Sequence, residues 1–268
     1  MPITKKTMAA IRKHAESDYP NEACGVIVKV GKSEVYIPCE NVAKDKTQDF
    51  KISPIDYAMA EEEGEIVGIF HSHPDGTAVP SKYDRACMSV NAELQRKYAP
   101  DSEPVLWHIV SWPEDNYIEV DPEIHESILG RPFIHGLWDC WQTCNDYYDK
   151  YHKLQFPRYE REDGWWEDKD AVSLYETHWP KTPFEDVTGD DLQVGDLIIM
   201  QIGRTYHPNH AAVYLGKISE FEGQPIGGPG PFILHHVYGR PSCIEVYGGQ
   251  WQQRTRFVLR HKEIKNGG

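Results

Sequence analysis

The 268-residue sequence lacks any long hydrophobic run. No stretch approaches the ~20 apolar residues that a helix needs to cross a bilayer, so no integral membrane segment is expected. The N-terminal stretch MPITKKTMAAIRKHAESDYP has basic residues but no apolar core of the kind that marks a signal peptide. Synthesis in the cytoplasm is the expectation. Positive charge is scarce: 28 Lys and Arg stand against 42 Asp and Glu, a formal charge of −14 at pH 7. That balance argues against nucleic acid or an anionic membrane as the main partner, and an acidic body better tolerates a cationic or zwitterionic substrate. Cysteines are few for the length, and the six (Cys24, Cys39, Cys87, Cys140, Cys144, Cys243) include no CxxC pair. A dense disulfide framework is excluded, and no cysteine pair suggests a structural zinc site. There is no internal repeat and no low-complexity tract.

What is present is ordinary globular composition, 40% hydrophobic and 26% charged, in a chain too long for one comfortable core. Residues 4–15 carry Met8, Ile11 and Ala15 at helical spacing, and a strand-like run follows at 25–30. Strand 35–37, helix 54–63, an apolar strand at 65–70, helix 82–97 and strands 105–112 and 117–120 complete an alternating α/β pattern. Periodicity then lapses, and Pro122, Gly130 and Pro132 mark a connection. The expected organisation is a domain at 1–121, a linker at 122–131 and a second domain at 132–268. The second reads as α+β. A helix starts near Cys140, an aromatic and acidic section spans 156–180, and strand-like runs follow at 196–201, 210–215, 231–238 and 256–259. Six of the eight tryptophans fall after Leu137, so this half holds most of the flat surface suited to gripping a substrate or partner.

Two constellations carry chemistry. His71-Ser72-His73 lies at the end of the apolar run 66–70. If the strand continues through it, period two puts both imidazoles on one face. Ser81 and Asp84 complete the string H-x-H-x(7)-S-x(2)-D. A catalytic zinc site takes three protein ligands and leaves a position open, and His71, His73 and Asp84 supply three. Glu22, just before the first strand, is a candidate base, and Ser81 a hydrogen-bond donor to a developing oxyanion. Ser81-x-x-Asp84 also reads as a helix-capping box. This string, with a glutamate well upstream, resembles the JAMM (MPN-type) metallopeptidase family. Over about residues 1–120 the resemblance implies an α/β, cytidine-deaminase-like sheet with flanking helices and Zn2+-dependent hydrolysis of an amide or isopeptide bond. Glu22 would be the base, and Ser81 would polarise the carbonyl.

In the second half, Asp139-Cys140 reads as the start of a helix, and a thiol in the first turn is expected to have its pKa lowered by the helix dipole. A thiolate needs a histidine to share its proton, and that histidine needs a polar group to orient it. His210 begins one strand-like run, and His235 lies in the next. Antiparallel neighbours would set His235 against the far nitrogen of His210. His236 is the alternative, but adjacent strand residues face opposite ways, so only one serves. The Asp-Cys helix start, VGDLIIM (residues 194–200), the HxAVYLG-like strand and the later histidine together resemble the NlpC-type cysteine peptidases. Over about residues 132–260 the resemblance implies a papain-like α+β fold that cleaves peptide stems of bacterial peptidoglycan. Cys140 would be the nucleophile, His210 the base and His235 the orienter. Trp141, where a small residue is common, and the 69 residues between Cys140 and His210 depart from the usual pattern.

A JAMM-like domain followed by an NlpC-like domain resembles the tail assembly protein K family of lambda-like phages. That resemblance implies a part of the tail tip, made in the host cytoplasm, with other tail-tip proteins as partners and the virion tail tip as a further location. Its implied roles are tail assembly and opening of the cell wall. Two alternatives stay open: a structural tail-tip component with vestigial peptidase sites, and a cellular isopeptidase for a ubiquitin-like protein. The 156–180 section, with Trp165, Trp166 and Trp179, reads either as a partner or glycan contact or as a lid over its own domain.

Overall fold

The structure is a computed structural model that describes residues 3–157 and 159–264. Residues 1–2 and 265–268, at the outer ends of the two expected domains, and Arg158 in the 156–180 section lie outside the described residues. The chain divides into two compact units, Met1–Ile124 and His125–Gly268. Among the described residues, no helix is long and apolar enough to cross a membrane.

The first unit is built on a five-stranded mixed sheet of order β2-β1-β3-β4-β5. The strands are β1 (Cys24–Val30), β2 (Ser33–Cys39), β3 (Glu65–Pro74), β4 (Leu106–Trp112) and β5 (Tyr117–Val120). β1 is antiparallel to β2 and β3, β3 is parallel to β4, and β5 returns antiparallel to β4. Helix α1 (Lys5–Asp18) begins where the Thr4 hydroxyl accepts a hydrogen bond from the Thr7 amide at 3.2 Å. Its apolar stripe, Ile11 and Ala15, packs on one sheet face with Ile27, Phe70 and Val110. The other face holds Cys24, Ile69, Trp107 and Ile109 beneath Phe50 and Met88. Met88 belongs to α3 (Lys82–Tyr98), and α2 (Pro54–Glu63) packs Ala60 against Val26 and Val28. Strand β3 runs through His71-Ser72-His73, four residues past the end of its apolar run. Alternation sends Phe70 to the α1 side and Ile69 and His71 to the α3 side.

The second unit has a six-stranded, wholly antiparallel sheet of order β12-β11-β8-β7-β13-β6. Its strands are β6 (Phe184–Asp186), β7 (Leu197–Met200), β8 (His210–Gly216), β11 (Phe232–His235), β12 (Cys243–Val246) and β13 (Thr255–His261). A small hairpin of β9 (Glu220–Phe221) and β10 (Gln224–Pro225) lies between β8 and β11 in the chain. Helix α4 (Cys140–His152) covers one face, packing Cys144, Tyr147 and Tyr148 with Leu197, Ile199, Ala211, Val213 and Leu234. The opposite face packs Ile198, Met200, Ala212 and Ile233 with Tyr247 and with Trp251 of α6 (Gln250–Arg254). Truncating a fully buried residue here, such as Ile233→Ala, is worth ~2–5 kcal/mol of stability.

Residues 125–131, read from composition as linker, are folded into the second unit. Ile128 is 1% exposed in the core, and Arg131, 4% exposed, pairs with Asp146 and donates to the Ser127 carbonyl at 2.8 Å. Gly130 and Pro132 signalled irregular backbone, but irregular backbone can be buried once its polar groups are paired. Ser242 does that pairing: its hydroxyl accepts from the Arg131 amide and donates to the Ile128 carbonyl.

Candidate active sites

The extension of β3 and the start of α3 bring three side chains of the first unit together. His71 Nε2 and His73 Nε2 lie 2.9 Å apart, and Asp84 oxygens stand 3.3 Å from His71 and 3.4 Å from His73. Each position is fixed from behind. The His71 ring stacks on Phe50 at 4.3 Å, edge-on to Trp107. His73 Nδ1 is 2.7 Å from the Thr77 carbonyl, which can only accept, so Nδ1 carries a proton and the neutral ring presents a lone pair at Nε2. Asp84 sits in a full capping box: Ser81 Oγ accepts from the Asp84 amide at 3.0 Å, and Asp84 Oδ2 accepts from the Ser81 amide at 2.6 Å. The two readings of Ser81-x-x-Asp84 are thus one device, because the cap that starts α3 also aims the carboxylate at the histidines. The Ser81 side chain is at the surface.

Electrostatics sharpen this picture. Burial works against the Asp84 anion, yet the two imidazoles beside it and the hydrogen bond from Ser81 hold its carboxyl far below the usual range. Burial lowers the pKa of His71. For His73 burial opposes the charged ring, but Asp84 and the Thr77 carbonyl outweigh it and raise the pKa. Two Nε2 atoms at 2.9 Å cannot both bear a proton toward each other, and their third neighbour is an anion. A donor set of two imidazole nitrogens and a carboxylate suits a zinc ion. Glu22 is buried nearby, its amide donating to the Lys46 carbonyl at 2.7 Å and its carbonyl accepting from Asn41 Nδ2 at 2.9 Å. Burial, with help from Asp84 and Asp49 and against His73, pushes its carboxyl up to about 7.

In the second unit Cys140 is the first residue of α4, and Asp139 caps the helix. The Asp139 carboxylate accepts from Gln142 N at 3.0 Å and Gly136 N at 2.7 Å and forms a salt bridge with Arg161. His210 Nε2 and His235 Nδ1 lie 3.1 Å apart on the Trp251 side of the sheet, where β8 pairs with β11. His236 turns the other way, its Nδ1 reaching the Thr143 hydroxyl of α4 at 3.3 Å. Cys140 and His210 line one cavity of about 510 Å³, without a hydrogen bond between them. The thiol's neighbours are instead the Tyr175 hydroxyl at 3.6 Å and the Ala211 amide.

The expected lowering of the Cys140 pKa is not found. Burial, followed by the Asp139 charge, pushes the thiol up to about 11, outweighing the help of Tyr175, Ala211 and Arg161. Burial likewise lowers His210, and brings His235 and His236 each to about 4. The pair is therefore neutral, a protonated thiol and an uncharged imidazole. His235 lies against Trp251, and beside Cys140, His210 and His236 packs the 156–180 section of the same domain. It includes α5 (Leu174–His178) and supplies Tyr159, Arg161, Trp165, Trp166, Tyr175 and Trp179 to the cavity wall. Trp165 stacks on His207, Tyr159 on His178, and the Tyr206 amide donates to the Trp166 carbonyl at 3.0 Å.

Sequence reasoning missed Tyr175 and Arg161, which touch the Cys140 and Asp139 side chains across spacings of 35 and 22 residues. Neither belongs to a motif; the excess of aromatics in that section was the only signal. It also passed over Phe50 and Thr77, which fix the two histidines.

Two family models match in succession: prokaryotic homologs of the JAB domain over residues 4–119 and the NlpC/P60 family over residues 130–260. The tail tip assembly protein K of Escherichia phage N15 is 36% identical over 263 residues, 98% of this chain and 97% of that protein. That of Escherichia phage lambda is 31% identical over 213 residues, 79% of this chain and 89% of that protein. Among solved structures, a JAB1/MPN domain protein from Archaeoglobus fulgidus is 19% identical, covering 47% of this chain and 100% of its own, at a TM-score of 0.29. The likeness to the N15 protein runs through both units. With a JAB/MPN domain first and an NlpC/P60 domain after it, the chain belongs to the tail tip assembly protein K family.

Proposed function

We propose that this chain is a tail-tip peptidase with two chemically separate centres. Cys140, His210 and His235 cleave peptide stems of peptidoglycan, and His71, His73 and Asp84 hold a zinc ion for hydrolysis of a different amide or isopeptide bond. The observation that carries the reading is the convergence, in each unit, of complementary groups fixed from behind: a capped carboxylate on two imidazoles, and two imidazoles bonded nitrogen to nitrogen.

In the second unit the His210 proton lies on Nε2 and is donated to His235 Nδ1, which leaves His210 Nδ1 free to accept. As Cys140 Sγ attacks the scissile carbonyl carbon, the thiol proton passes to His210, which then delivers it to the leaving amine. Water hydrolyses the resulting thioester and returns the proton to sulfur. Backbone amides at the start of α4 face the developing oxyanion. Starting from a neutral pair, the proton moves with the attack rather than before it. In the first unit a zinc ion held by His71, His73 and Asp84 would supply Lewis acidity and a nucleophile at neutral pH. Glu22, with a carboxyl near 7, both takes and returns a proton at that pH, and the Ser81 hydroxyl donates to the carbonyl oxygen. The names of the relatives support action at the tail tip, beside other tail proteins. Synthesis in the host cytoplasm and a part in opening the cell wall complete the reading.

The test is release of new amino groups from purified peptidoglycan. The wild-type chain is expected to release them, Cys140→Ala to abolish release, and His71→Ala/His73→Ala to retain it. An inactive wild type, or a Cys140→Ala chain as active as wild type, contradicts the proposal and favours a structural tail-tip role.

A further inference from the structure

A third cluster lies behind the His210–His235 pair. In the β11–β12 ladder His235 is directly opposite Cys243, and Glu245 follows two residues later on the same face of β12. One ligand atom from each, imidazole nitrogen, thiol sulfur and carboxylate oxygen, lies within 4.8 Å of the others. His235 is fully buried and its Nε2 has no hydrogen-bond partner. That atom stands 3.8 Å from Glu245 Oε2, and Cys243 Sγ stands 3.9 Å from Glu245 Oε1. The nitrogen–oxygen gap is too long for a hydrogen bond. The two gaps run to the two oxygens of one carboxylate, so Glu245 faces both other donors, an imidazole nitrogen and a sulfur of the kinds that hold zinc. The ligands are also held in place. The Trp251 indole donates to Glu245 Oε2 at 3.0 Å, and its ring lies edge-on to His235 at 4.7 Å.

We propose that His235, Cys243 and Glu245 form an inhibitory site for a thiophilic divalent cation of the zinc type. The inhibition, though not the binding, rests on the Cys140–His210–His235 reading above. On binding, Cys243 loses its proton to solvent and the sulfur becomes a thiolate ligand. His235 gives up the lone pair of Nε2 to the cation, so its one proton must sit on Nδ1. Nδ1 already faces His210 Nε2 at 3.1 Å, and that nitrogen then has to accept. The His210 proton is thereby moved to Nδ1, the position needed to receive the proton of Cys140. The cation thus disables the base by fixing the wrong tautomer, without touching the thiol. The Arg240 charge is felt by both His235 and Cys243 and opposes the cation, so Arg240→Ala is expected to tighten binding.

Titration of the full chain with Co2+ tests the site, because a thiolate ligand gives a charge-transfer band and the His71–His73–Asp84 group contains no sulfur. The band is expected in wild type and in Cys140→Ala, absent in Cys243→Ser, and shifted to higher Co2+ in Glu245→Gln. Stem cleavage by the wild type is expected to fall over the same concentrations by about 100-fold or more, as a wrong imidazole tautomer does in a triad, and to recover on chelation. Cys243→Ser, compared with its own metal-free rate, escapes. No band in wild type, a band that survives Cys243→Ser, or inhibition that persists in Cys243→Ser overturns the proposal. A band that follows Cys243 in a chain with no cleavage under any condition upholds the metal site and removes the peptidase reading instead.

Discussion

Asp84 stays ionised because His71, His73 and the Ser81 amide surround it, whereas Cys140, His210 and His235 are all neutral because burial finds no opposite charge strong enough to offset it. The first centre is held together by charge complementarity over short sequence distances. The second is buried by residues from distant parts of the chain, the 156–180 section beside Cys140 and Trp251 against His235. A centre of the first kind is assembled before any ligand arrives.

The comparison is broken most sharply by single changes that should affect one centre and spare the other. His235→Ala removes the partner of His210 Nε2 and is expected to lower stem cleavage by about 10²–10⁴-fold while leaving the zinc bound by the first unit unchanged. Asp84→Ala is expected to do the reverse, weakening zinc binding by about 100-fold or more, measured by competition with a chelating dye, with cleavage intact.

Acid should act with opposite signs on Glu22 and on the histidines of the second centre. His210, His235 and His236 have folded pKa values below their ordinary 6.5, so each contributes stability that is present above 6.5 and lost as pH falls below it, toward about 4 for His235 and His236. Glu22 is raised from 4.5 to about 7, so in the metal-free chain its contribution is full below 4.5 and fades as pH rises through 7. Taking the metal-free chain from pH 7 to pH 4.5 should therefore loosen the second unit at these histidines, whereas in the first unit the Glu22 contribution opposes the same loss at His71 and His108, which burial also lowers. Hydrogen exchange in the first unit reads the Glu22 part directly: acid should cost Glu22→Gln more protection than wild type, and equal losses contradict it. The smallest effect concerns the 156–180 section. Trp165→Ala removes a stacking contact with His207, and a pair of that kind, worth ~0.5–1.5 kcal/mol, should speed alkylation of Cys140 by about two- to tenfold.

The same difference explains what could be read from the sequence. His71, His73, Ser81 and Asp84 fall within one strand, one loop and one helix start, so period two and capping chemistry bring them together before any tertiary contact is known. The order of helices and strands in the first unit followed from the same periodicities. The orientation of His235 toward His210 followed from antiparallel pairing of β8 with β11. The protonation of Cys140 was not legible, because helix position speaks for a thiolate while the burial that overrides it comes from Tyr175 and its neighbours, 35 residues away. The inward packing of Ile128 and Arg131 was hidden for a related reason: Gly130 and Pro132 report backbone irregularity, and only Ser242, more than a hundred residues on, shows that it is buried. The strand β12, which carries Cys243 and Glu245, is four residues long and only partly buried, so it left no periodic trace.

The most direct test of two separate centres is the rate of peptidoglycan stem cleavage by the wild-type chain before and after all divalent metal is stripped. The account predicts that the stripped chain cleaves as fast or faster, since the Cys140 centre needs no cation and the cluster at His235 is inhibitory when filled. A rate that collapses on stripping and returns when zinc is added back would contradict it.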